Sequence, residues 1–201
     1  MSYLGLLESI GIYDHNQYLN PISKELILEK FKKDKRFLEQ LKKFPLPKNE
    51  DEKITYLSLL WDLNHLLKGK KFLFHGFLQT QMFGVLQGQT MVFTLFHRLQ
   101  RPQDFENYLI RLKKISVQVD QLIDYMKFQE EKTIIPPRFS IEKVICMIDQ
   151  FLSNEPEKNL FYMHLANKDF PEKEKILNSA SEVIKDKIYP SYSRLREYLS
   201  S

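Results

Sequence analysis

The side chains best suited to metal or nucleophilic chemistry in this chain are His15, His65, His75, His97, His164 and Cys146. No two of the histidines stand four residues apart, the spacing that places two ligands on one helical face, so there is no His-Glu-x-x-His zinc motif. A G-x-S-x-G nucleophile elbow and a phosphate-cradling glycine loop are also missing. Cys146 falls beside Val144, Ile145 and Ile148 and reads as a buried structural thiol. His75 and His97 are the histidines closest to a groove-forming segment, yet a hydrogen-bonded structural role is the plainer reading of both. No residue is therefore assigned a catalytic, cofactor-binding or metal-ligating role.

The elements that must carry these side chains are helical. From Phe105 to Met126, apolar residues recur at three- and four-residue steps through Leu109, Leu112, Ile115, Val119, Leu122 and Ile123, which is one face of an α-helix. Ile141, Val144, Ile145, Ile148, Phe151 and Leu152 form a second such face. Only a short break containing Pro136 and Pro137 separates them, which predicts a central helical hairpin whose two stripes meet one core. Upstream, a helix is expected over about 22–44, with Asn20 as its cap, and another from Asn49 to Lys68, closed by Gly69. The run Lys30, Lys32, Lys33, Lys35, Arg36 is interleaved with acids and reads as a solvated face more than as an anion-binding patch. An aromatic-rich extended piece is expected at 70–77, and a helix at about 90–99. Gly76, Gly84 and Gly88, three of six glycines, punctuate this region, which is the pattern of a segment that crosses a surface or lines a groove.

The last helix is expected to start near Asp169 and to run to Leu199 with a kink at Pro190. The fold class is thus all-α: an irregular multi-helix bundle with a central hairpin around Pro136-Pro137 and a Pro-kinked C-terminal helix. One helical domain is expected over 1–201, with a lead-in at 1–20, N-terminal helices and the aromatic segment at 21–101, and the hairpin and last helix at 102–201. The 201 residues suffice for one good core, and 43% hydrophobic with 28% charged residues is ordinary for a globular protein. A net charge of +4 is no footprint of a nucleic-acid binder. No apolar run is long enough to span a membrane, and Met1–Glu8 lacks the basic region of a signal peptide, so the chain as it stands reads as cytoplasmic.

Five pieces then occur in a telling order: Lys71-Phe72-Leu73-Phe74-His75, Gln81-Met82-Phe83-Gly84, Asn107-Tyr108-Leu109-Ile110-Arg111-Leu112, Ile135-Pro136-Pro137-Arg138-Phe139 leading into Glu142-Lys143-Val144, and Ile188-Tyr189-Pro190-Ser191-Tyr192 continuing to Leu199. In this order the chain resembles the N-terminal half of the bacterial family called domain of unknown function 885. The resemblance implies a longer, largely helical, often exported protein similar to gluzincin-type zinc metallopeptidases. The family's His-Glu…His zinc motif lies in the C-terminal half, which this chain stops short of. The resemblance therefore implies zinc for the full-length family only, no cofactor here, and a chain that is inactive alone.

On that resemblance the chain supplies one wall of a substrate cleft. Phe74, His75, Gln81, Phe83 and Gly84 are the expected lining. Arg111 and Arg138 are the expected anchors, since a cleft arginine can hold a carboxylate bidentately. The structural alternatives are that Arg138 clamps the hairpin and that Arg111 pairs with a nearby acid. The competing functional reading is a stand-alone helical interaction module. The last helix keeps its apolar stripe through Ile188, Tyr192, Leu195 and Tyr198. Its expected cover is the missing C-terminal half, another helical domain or a second copy. On this view Leu195→Glu with Leu199→Glu improves solution behaviour without unfolding the chain.

Overall fold

The computed structural model describes residues 11–201, so the part of the expected lead-in that falls on 1–10, with the signal-peptide reading, lies outside the described residues. The fold is all-α, and the described residues form no strand, only an isolated antiparallel bridge between Gln79 and Gly84. The described residues fall into two compact units: Ile22–Gly76, and 11–21 together with Phe77–Ser201.

The smaller unit is a helical hairpin of α1 (Lys24–Leu41) and α2 (Glu50–Lys68), which pack on one another. The cap of α1 is Ser23, not Asn20: its Oγ accepts from Leu26 N at 3.2 Å. At α2 the Asn49 side chain accepts from Asp51 N at 2.9 Å and Glu52 N at 3.2 Å, and Glu50, Asp51 and Glu52 place negative charge against the positive end of the helix dipole. Lys30, Lys32, Lys33, Lys35 and Arg36 are exposed. The piece after α2 is a 3-10 turn over Gly69–Phe72 and a bend, not the extended segment expected.

The larger unit begins with a 3-10 turn (Asp14–Gln17) and continues through α3 (Val85–Met91), α4 (Pro102–Lys113), α5 (Ile115–Glu130), α6 (Arg138–Leu152), α7 (Leu160–Ala166), α8 (Lys173–Val183) and α9 (Tyr189–Ser200). The long central helix is in fact two: the ladder tightens at Lys114, whose N–H reaches back only three residues to Arg111 O at 3.0 Å, and resumes with Gln118 N to Lys114 O. Of the predicted stripe, Phe105, Leu112, Ile115, Val119, Leu122, Ile123 and Met126 are buried and Leu109 is half-buried. After α5, Thr133 takes the left-handed conformation (φ 58°) while Ile134 N bonds Gln129 O and Thr133 N bonds Glu130 O, closing the helix in a Schellman arrangement. Ile134 to Pro137 then carry the chain to α6.

The two stripes of the central hairpin meet through a third helix. α9 packs against both α5 and α6, and two arginines brace it: Arg194 forks onto Asp120 of α5 (2.7 and 2.9 Å to Nη2), and Arg196 Nε reaches Asp149 of α6 at 2.6 Å. Leu195, between them, is 0% exposed, as is Ile188, and Tyr192 is 3% exposed. The expectation that the apolar stripe of this helix stands bare is overturned: the unit's own α5 and α6 cover it. Pro190 has no N–H to give to the ladder, and a π turn at Ile184–Ile188 precedes it, where Tyr189 N bonds Ile184 O across five residues. α8, the π turn and α9 therefore form one continuous helical run whose regular ladder is interrupted just before Pro190.

Cys146 is exposed, against expectation. Its neighbours explain why: Val144 and Ile148 point to the core, and a residue two positions from each lies about 200° around the helix, on the opposite face.

Candidate functional site

Within the larger unit, α3, α6, the start of α7 and Tyr192 of α9 enclose a groove of about 480 Å³. Its sides come from Leu86, Gln87, Thr90 and Met91 on α3 and Met147, Gln150 and Phe151 on α6, with Asn154 just past the end of α6 and Leu160 at the start of α7. Positions 147, 150 and 151 share one helical face at steps of three and four, and 86, 87, 90 and 91 share another through the 86/90, 87/90 and 87/91 pairs. The floor is rigid. Phe151 stacks on Tyr192 at 4.4 Å, and the Tyr192 hydroxyl donates to Gln89 Oε1 at 2.7 Å. Gln89 in turn donates to Gln118 Oε1 at 2.8 Å. Burial pushes the Tyr192 phenol far above its usual range, so it remains a neutral donor.

A glutamine-locked turn borders this groove. Gln79 Oε1 accepts from Leu86 N at 3.0 Å, capping α3, while its Nε2 donates to Thr80 O and to Gln87 Oε1, both at 2.9 Å. Gln87 Nε2 holds the turn carbonyls of Thr80 (3.1 Å) and Gln81 (3.3 Å) and lies 3.8 Å from the Met147 sulfur. Gln81 Oε1 accepts from the Ser140 hydroxyl at 2.5 Å, tying the turn to α6. Gly84 is needed here because of crowding: a Cβ would sit 2.7 Å from Gln79 Cα and 2.5 Å from its Oε1. Gly84→Ala is therefore expected to destabilise the larger unit by about 1–3 kcal/mol, read as a lowered urea midpoint, because backbone must move to admit the methyl. An unchanged midpoint would contradict this close approach.

The expected site residues separate. Gln81, Phe83 and Gly84 belong to the locked turn, and Ser140 joins it to the helix that Arg138 begins. Phe83 is 75% exposed at the turn's tip. Arg138 is exposed and pairs with Glu142 through Nε at 2.8 Å. Phe74 and His75 belong to the smaller unit, where His75 meets the Phe72 ring edge-on at 5.3 Å.

Arg111 lies inside the larger unit, 4% exposed. Its Nε donates to Tyr18 O at 3.0 Å, its Nη2 to His15 O at 2.9 Å, and its Nη1 to His97 Nδ1 at 2.9 Å. The guanidinium thus clamps the 3-10 turn onto α4 through two backbone carbonyls and an imidazole. His97 Nε2 donates to Asp104 O at 2.8 Å, so one ring nitrogen carries the proton and the other must be bare to face an arginine. Burial, and then the charge of Arg111, bring the His97 pKa down to about 4. Burial pushes the Asp104 carboxyl up, but donors from Arg101 and Gln100 outweigh it and its pKa ends lowered.

His97 carries a pH prediction. Its folded pKa of about 4 lies below the ordinary 6.5 of the unfolded chain, so as pH falls the unfolded chain takes up the proton first. The stabilisation is complete above pH 6.5, is lost between 6.5 and 4, and falls no further below. The loss is up to about 3 kcal/mol. Urea midpoints of the wild type and of His97→Gln across this window should converge as pH drops; parallel curves would contradict the assignment.

The sequence reading missed the groove itself. Its signal was present as the second faces of α3 and α6, the row of Met147, Gln150 and Phe151 above all, but the stronger core stripes masked it.

A family model described as "Bacterial protein of unknown function (DUF885)" matches residues 6–201. No curated protein matches the chain. A crystal structure of a "putative lipoprotein" from Colwellia psychrerythraea superposes with a TM-score of 0.82 at 12% identity, covering 99% of this chain and 39% of that one. The chain spans about two fifths of that neighbour's length, and at this identity the likeness is one of fold.

Proposed function

The chain belongs to the bacterial family of unknown function 885, and from that premise we propose that its larger unit forms one wall of a substrate cleft in a protein similar to the zinc metallopeptidases. The observation that carries this reading is the groove of about 480 Å³ between α3, α6 and α7, within the roughly 300–1,000 Å³ of small-ligand sites and lined by apolar and uncharged polar side chains on a floor held by internal hydrogen bonds. Among the described residues no three His, Cys, Asp or Glu stand together to hold a metal ion, so the residues here do not fit a zinc site and the wall is given no metal-dependent step. Its part is to bind and orient.

Arg138 fits the anchor role better than Arg111. The buried Arg111 is committed to carbonyls and His97, whereas Arg138 is 92% exposed at its side chain with Glu142 as partner. Arg138→Ala should weaken peptides with a free carboxylate a few-fold and leave amidated ones unaffected. The cleft reading itself is tested by filling the groove. Thr90→Trp should lower the affinity for a fluorescent mixed-sequence tetrapeptide library about tenfold by anisotropy, with the helical circular dichroism retained. Equal affinity in a folded Thr90→Trp protein contradicts it.

One feature favours the second reading, a helical interaction module. α2 is rich in Leu, Ile and Trp yet has no buried residue, and Ile54 and Trp61 are each 61% exposed. Ile54→Lys with Trp61→Lys should abolish self-association seen by sedimentation if that face docks a second copy. Unchanged sedimentation removes this reading.

A further inference from the structure

The groove lining holds no carboxylate, amine, guanidinium or imidazole, and its one phenol, Tyr192, is kept neutral by burial, in a chain of which 28% is charged. Its polar members are also largely spent on the protein. Gln87 Nε2 serves the turn carbonyls and its Oε1 accepts from Gln79. Thr90 Oγ1 donates to Leu86 O at 3.2 Å, Asn154 Nδ2 to Gln150 O at 3.0 Å, and Tyr192 to Gln89. Asn159 Oδ1 accepts from Phe161 N at 3.0 Å, capping α7. What faces the space is mostly methyl, methylene, thioether and ring, with uncharged amides toward the rim. Met91 and Leu160, at 45% and 56% exposure, form an apolar mouth, and the two thioethers of Met91 and Met147 are adaptable surfaces for aliphatic or aromatic shapes.

We infer that this groove is a side-chain selectivity pocket for an uncharged aliphatic or aromatic group. The inference rests on the cleft-wall reading and adds the chemical class of the group. A cation or carboxylate entering here would lose its water and meet no opposite charge in the lining, whereas an apolar group exchanges water for the Met, Leu and Phe surfaces. Gln150, exposed at the rim, is placed to meet the amide of whatever carries that group. Selectivity thus comes from the penalty against charge as much as from the attraction of apolar surface.

The test uses blocked amino-acid amides with one backbone and different side chains, titrated into protein labelled at its methionine methyls. N-acetyl-leucinamide and N-acetyl-phenylalaninamide should shift the Met91 and Met147 signals saturably, with the lysine and glutamate analogues binding at least about tenfold more weakly. Met91→Glu, a change at an exposed rim position, should weaken the leucine and phenylalanine amides and bring the lysine amide up to or past them. If the charged analogues move the same methyls with the same affinity, the apolar selectivity is wrong and the cleft wall stands. If no analogue moves either methyl, both the pocket and the wall are refuted.

Discussion

Replacing Arg111 with methionine is expected to destabilise the larger unit by about 3–5 kcal/mol, because one buried and two part-buried acceptors lose a charged donor at once. The carbonyls of His15 and Tyr18 and the bare Nδ1 of His97 all face this guanidinium at 2.9–3.0 Å. Methionine keeps much of the apolar stem and none of the donors, so the loss reports the hydrogen bonds more than a cavity. Arg111→Lys should recover only part, since a single ammonium cannot fork to carbonyls on two residues while also meeting the imidazole. Amide exchange gives a local readout. The Tyr18 N–H, bonded to His15 O at 3.0 Å, should exchange with the unprotected rate in Arg111→Met under conditions where α5 stays protected. A midpoint within experimental error of wild type would show that the clamp does not hold the turn.

The second large effect reverses what the sequence alone led us to expect. Leu195→Glu should leave the larger unit unfolded or nearly so, a loss above about 4 kcal/mol, because the carboxylate would occupy a position of 0% exposure on the face of α9 that packs against α5 and α6. Leu199→Glu should cost no more than about 1 kcal/mol, since that position is only half-buried, beside Pro136 and Ile141 at the edge of the fold. Thermal unfolding of the two single variants separates them. A folded Leu195→Glu protein with near-normal Tm would contradict the packing of α9.

These two residues also show what could and could not be read from the chain. The stripe Ile188, Tyr192, Leu195 is a local periodicity and was legible, but periodicity names a face without naming what covers it. The cover is supplied by helices whose braces, Asp120 and Asp149, lie 74 and 47 residues away from Arg194 and Arg196. Arg111 was legible as an arginine on a helix and nothing more, because its acceptors are backbone carbonyls 93 and 96 residues upstream, and a carbonyl has no signature in the sequence. Gly84 was visible as a break, while the crowding that requires it comes from the side chain and backbone of Gln79. Cys146 was misplaced by adjacency: sitting next to buried residues in sequence puts it on the other side of the helix. The groove needed α3 and α6 to face one another, a pairing that two short second faces could only hint at.

The central claim is that the larger unit presents a groove that receives part of a substrate. The most direct measurement is mass-spectrometric mapping of a tetrapeptide amide carrying one benzophenone-alanine, photolysed in the presence of the protein. Cross-links should concentrate on Met91, Met147 and Leu160, compete away with N-acetyl-phenylalaninamide, and disappear in Thr90→Trp. Cross-links spread over the exposed apolar face of α2, or insensitive to the competitor and to Thr90→Trp, would contradict the account.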